Sequence, residues 1–165
     1  MDTRLKKLQD EINEATQEFS AEQLNRHLPG KWSALEVVEH LYLTYTGTIK
    51  GLERVVAAGK PLVTGSTWRQ RGRRWVVLGF SYLPSGREAP PIARPRGTTA
   101  EKVLAETGPK IAEMDAMIVQ CEERFGLGAL LDHPILGPLN GAEWRKFHLV
   151  HGMHHVKQIR RLREE

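Results

Sequence analysis

Apolar positions recur every three to four residues through most of the chain, the period of helices buried on one side. Over residues 3–19, Leu5, Leu8, Ile12 and Ala15 share a face. A short helix is expected at 21–26, stopping before Pro29-Gly30. Over 34–58 the stripe is Val37, Leu41, Tyr45, Thr48, Leu52 and Val55, and Gly59-Lys60-Pro61 carries the stop chemistry. Residues 99–124 turn Val103, Ile111, Met114, Met117, Ile118 and Cys121 inward, with a kink expected at Gly108-Pro109 because proline lacks an N–H. A last helix is expected at 141–163. Trp144, Phe147, His151, His155, Gln158 and Leu162 fall on its inner face, and Arg145, Lys146, Lys157 and Arg160 on a solvated one.

The helix starts have a local signature. Ser20-Ala21-Glu22-Gln23, Ser33-Ala34-Leu35-Glu36 and Thr98-Thr99-Ala100-Glu101 read as capping boxes, and Asn140-Gly141-Ala142-Glu143 as a looser one. Trp32 and Val37 are placed to staple the second box, which predicts a mostly buried Trp32. Residues 60–97 break the pattern with prolines at 61, 84, 90, 91 and 95 and glycines at 65, 72, 79, 86 and 97. Within them, Trp75-Val76-Val77-Leu78-Gly79-Phe80 fits a short buried helix or a strand equally well. The fold expected is all-α: a four-helix bundle with a long irregular crossover between the second and third long helices, forming one domain over residues 1–165. A connection of that length usually serves as a lid, a pocket wall or a partner surface, and it is expected to pack over the histidines described below.

Composition narrows the setting. No apolar run is long enough to span a membrane, and the charged N-terminus is not a signal core. The sole cysteine, Cys121, cannot form an internal disulfide, so a cytoplasmic location is expected. The net charge of +4 is uneven: residues 60–97 hold Lys60 and seven arginines against Glu88 alone. Trp68-Arg69-Gln70-Arg71-Gly72-Arg73-Arg74-Trp75 has the composition of a nucleic-acid surface, but no recognised module accompanies it. A pocket wall for an anionic substrate explains it more simply.

The candidate chemistry lies near the C-terminus, where His148, His151, His154 and His155 fall within eight residues. His151 and His155, four apart, stand one helical turn above each other, the spacing at which two imidazoles hold one cation. His148 suits packing, and His154 is rotated to the flank. His40, at the edge of the second long stripe, is the candidate third ligand; a structural role is the alternative. Glu36 reads as the capping acid and Glu39 as a surface residue, and neither is assigned as a base.

The local words around these histidines carry a resemblance. Residues 32–41, Trp-Ser-Ala-Leu-Glu-Val-Val-Glu-His-Leu, resemble the W-S-x-x-E-x-x-x-H-L signature of the DinB/YfiT-like superfamily. The run 133–139, then Glu143-Trp144, Phe147-His148 and 151–159, resembles the C-terminal signature of its DinB-like branches. The resemblance implies a four-helix bundle of the DinB/YfiT type and a divalent metal, zinc or nickel, held by His40, His151 and His155. It also implies a homodimeric metalloenzyme acting on a small molecule: a thiol S-transferase using bacillithiol or mycothiol as cosubstrate, or a hydrolase. A metal-binding or stress-related bundle without turnover is the competing expectation.

Overall fold

The computed structural model describes residues 1–83 and 89–164, and the chain is mostly helical. In chain order the elements are α1 (Thr3–Gln17), α2 (Ala21–Asn25), α3 (Ala34–Ala58), α4 (Trp68–Arg74), α5 (Ala100–Phe125), β1 (Ala129–His133), β2 (Gly137–Asn140) and α6 (Gly141–Glu164). The part of the irregular stretch holding Pro84, Gly86, Arg87 and Glu88 lies outside the described residues.

The capping chemistry explains most helix starts. Ser20 with Gln23 and Ser33 with Glu36 form reciprocal boxes at α2 and α3. Asn140 and Glu143 exchange the same pair of bonds at α6. Thr67 and Gln70 cap α4 likewise, a box that the arginine-rich composition had hidden. The box expected at Thr98 does not form. Helix α5 starts with Thr99 at its cap position and no side-chain cap bond. Thr98 instead gives its N–H and its hydroxyl to Glu39. Pro109 sits inside α5, which runs unbroken from Ala100 to Phe125.

Helix α1 packs on α6, α3 packs on α5, and α6 also touches α3 and α5. The core between them holds Leu5, Leu8, Leu41, Tyr45, Ile111, Met114, Ile118 and Ile159, all essentially inaccessible. At the α1–α6 crossing a Cβ on Gly152 would stand 2.2 Å from Leu8 Cδ1, so glycine is what lets these helices approach next to His151. Because α6 is covered by three helices, one apolar stripe does not describe it. Arg145, expected in solvent, is buried. Its Nε donates to Asp115 at 2.7 Å and its Nη1 to both oxygens of Glu122. The other Asp115 oxygen accepts the backbone N–H of Asp2 at 2.7 Å.

The stretch 133–139 is part of a β-hairpin, with β1 and β2 antiparallel. Leu62 docks beside it, donating its N–H to Leu130 O and accepting from Asp132 N. Residues 75–79 continue α4 as a π-helical turn, which answers the helix-or-strand question. They are not a buried segment: Val77 is buried, while Trp75 and Phe80 are exposed and pack on each other at 4.5 Å. Among the described residues no helix is long and apolar enough to cross a membrane.

Removing Arg145 would strand two largely buried carboxylates. Arg145→Leu is expected to cost about 3–5 kcal/mol in urea denaturation, the usual penalty for unpairing a buried charge. A loss below about 1 kcal/mol would show that the network contributes little.

Candidate metal centre

Two elements supply the three expected residues. His40 projects from α3, while His151 and His155 lie one turn apart on α6. The structure brings all three together: one ring nitrogen from each lies within 4.8 Å of the others. His151 Nε2 is 3.2 Å from His40 Nε2 and 3.2 Å from His155 Nε2. The rings meet edge to face, with centroids 4.7–5.2 Å apart.

The surroundings decide which nitrogen of each ring points inward. Nδ1–H of His40 donates to Ala93 O at 2.7 Å, and Nδ1–H of His155 donates to Gln158 Oε1 at 3.0 Å. Each bond assigns the proton to Nδ1 and leaves the Nε2 lone pair facing the centre. Nδ1 of His151 is buried with no hydrogen-bond partner among the described residues. Its ring is held by packing instead, stacked on Phe147 at 5.4 Å and 10°. Trp32 leans over His40 at 5.4 Å. As expected it is mostly covered, packed against the core, while one edge borders the cavities described below.

The bond from Ala93 depends on Glu39. That side chain, expected at the surface, is 1 % exposed. It accepts the N–H groups of Arg96, Gly97 and Thr98 and the Thr98 hydroxyl. Burial pushes the Glu39 carboxyl up, but these bonds outweigh it and hold it below the ordinary value. The 3-10 turn Pro91–Ala93 is thereby laid over His40. Glu36 is engaged as the capping acid, as expected.

Burial keeps the imidazoles neutral. It lowers His40, pushes His155 down to about 3, and carries His151 well below its ordinary value, with the neighbouring histidines adding to the last two shifts. His148 packs as expected, with Nε2 3.1 Å from Thr48 Oγ1 and its ring against Tyr45 and Trp144. His154 stays on the flank, its ring 5.2 Å from that of His155. His133 rests on Phe147 at 4.4 Å and accepts the N–H groups of Ile135 and Leu136 at Nδ1.

The three histidines open onto a cavity of about 910 Å³ whose walls include Phe147, Val76 and Leu136. On its other side His155 faces a cleft of about 1270 Å³ lined by Lys7, Lys146, Lys157 and Arg161. The arginine-rich stretch divides between them: Arg69 and Arg73 border the apolar cavity and Arg94 the cationic cleft. Arg54 of α3 joins the first group. Sequence reading missed it because it lies outside that stretch, although its spacing from His40 keeps it on the same face of α3.

A family model described as the DinB superfamily matches residues 4–159. No curated protein and no solved structure matches the chain.

The buried histidines set an acid limit on the fold. His148 titrates near its ordinary 6.5 when unfolded but is pushed down to about 3 by burial. The unfolded chain therefore binds more protons between those values, and stability falls as pH drops through that window. Above it, this histidine gives no pH dependence. The expected slope is about 1.4 kcal/mol per pH unit for one such group. Urea unfolding between pH 7 and pH 4 should show a shallower fall for His148→Gln; an unchanged slope would locate the effect elsewhere.

Proposed function

The chain belongs to the DinB superfamily, and from that premise we propose that His40, His151 and His155 hold a divalent cation, zinc or nickel, in a small-molecule enzyme. The observation that carries this reading is the convergence of three neutral imidazoles on one point. Two nitrogens each 2.0–2.1 Å from a zinc ion at a tetrahedral angle stand about 3.4 Å apart. Both pairs involving His151 are 3.2 Å apart, close to that value, and the third pair lies within 4.8 Å. The Nδ1 bonds to Ala93 and Gln158 are the outer contacts that orient ligating histidines. Imidazole donors accept zinc and nickel alike.

A divalent cation held by three neutral ligands lowers the pKa of a bound water or thiol toward neutrality. The protein's own part is positional. Ala93 and Gln158 keep His40 and His155 in the required tautomer, and Trp32 and Phe147 shield the rings from water. The open cavity beside the histidines supports an activity on a small molecule: S-transfer from a low-molecular-weight thiol, or hydrolysis. The same reading takes the chain as one cytoplasmic domain, its four long helices a DinB/YfiT-type bundle with residues 60–97 as the crossover, assembling as a homodimer. A metal-holding bundle without turnover is favoured by one observation. Both carboxylates flanking His40 are occupied, Glu36 by its cap and Glu39 by residues 96–98, so neither is available as a base.

Elemental analysis of purified protein should find about one equivalent of zinc or nickel per chain. His155→Ala should lose most of it and His154→Ala should keep it; equal retention would overturn the assignment. Gln158→Leu should weaken zinc binding about 10-fold while leaving the fold intact. Turnover of a thiol-acceptor or ester substrate by the loaded protein separates the enzyme from the silent bundle.

A further inference from the structure

The cavity beside the histidines is elongated. His40, Leu43, Gly47, Gly51 and Arg54 of α3 all border it, so it follows one face of that helix. Fourteen residues of helix span about 21 Å. On that face the histidine cluster stands at one end and Arg54 at the other, with apolar walls between them. Leu43, Val76, Leu131, Leu136 and Phe147 line the apolar length, while Arg54, Arg69 and Arg73 stand exposed at its rim. No ion pair engages these arginines among the described residues. The carboxylate in the lining, Asp132, has one oxygen engaged by Thr64 N and Thr64 Oγ1. The floor is open at Gly47, where a Cβ would meet nothing within 4 Å, and one turn on it is covered by Leu131, which rests against Gly51.

We infer that this channel binds an elongated, largely apolar molecule with an acid group at one end, the acid at Arg54, Arg69 and Arg73 and the opposite end at the histidines. Apolar walls favour a body that leaves water, which is the main source of affinity in such a site. Arg54 lies about 21 Å along α3 from His40, so an acid drawn to the arginine rim there leaves the other end of the molecule at the reacting centre. At about 910 Å³ the cavity has room for an alkyl chain or a short row of fused rings. This inference names the substrate class of the proposed enzyme and rests on that reading for its chemistry; binding itself does not require the metal.

The probe is dansylaminoundecanoic acid, read by its fluorescence, with its methyl ester as the neutral control. Wild-type protein should bind one equivalent of the acid, and the ester at least about 10-fold more weakly. Gly47→Phe, which places a ring in open channel space on a helix, should abolish binding while keeping the zinc content of wild type. Arg54→Glu/Arg73→Glu, both at exposed positions, should weaken the acid about 10-fold and leave the ester unchanged. Unchanged binding by Gly47→Phe, or an arginine pair variant that still prefers the acid, overturns the inference. Zinc held by protein that ignores the probe overturns the channel alone. Probe bound with this variant pattern by protein that holds no zinc supports the channel and sinks the metal centre.

Discussion

Burying a carboxylate is costly unless its oxygens find donors, and Glu39 is buried one residue before His40. Its donors are backbone N–H groups nearly sixty residues away, at Arg96, Gly97 and Thr98. Satisfying that charge fastens the end of the irregular stretch to α3. The fastening brings the Ala93 carbonyl within 2.7 Å of His40 Nδ1, and that contact fixes which nitrogen of His40 faces the cluster. The order of cause is therefore a buried charge, then a backbone path, then a tautomer. Glu39 never touches the centre, yet the orientation of His40 depends on it.

Helix α6 bears the matching constraint on the other side. It supplies His151 and His155 and is also the helix on which α1, α3 and α5 meet. Gly152 admits Leu8 beside His151, and Arg145 ties α6 to Asp115 and Glu122 of α5. These contacts hold the α6 axis at a distance where its imidazoles reach His40. Apolar packing supplies most of the energy, being nearly proportional to the surface removed from water. The ionic network sets register, since a shift of one residue would leave Arg145 buried without its acids.

The two cavities that meet at His155 differ in character because different elements wall them. On one side the hairpin, α3 and α4 contribute apolar side chains with arginines at the edge. On the other, α1 and α6 contribute lysines to a cleft that His155 also lines. The positive charge seen in composition is thus distributed by architecture. The arginine-rich run is not one patch: Arg69 and Arg73 border the apolar channel, while Arg74 turns to donate to Pro138 O.

The sequence by itself determined the long helices and α2, most of their starts, and the residues of the histidine cluster, while α4 and the hairpin were not legible in it. Those features are encoded within a few residues: a serine and an acid three apart, an apolar stripe at helical period, and two histidines one turn apart. Only the tertiary structure decided the fates of Glu39, Arg145 and Thr98, each of which local pattern placed differently. The physical reason is distance along the chain. The partners of Glu39 lie 57 to 59 residues away and those of Arg145 lie 23 and 30 away. A polar residue on a helix flank reads as solvated until the donor or acceptor that meets it there is known. The Ala93 carbonyl has no sequence signal at all, because every residue carries that acceptor and only the backbone path selects one.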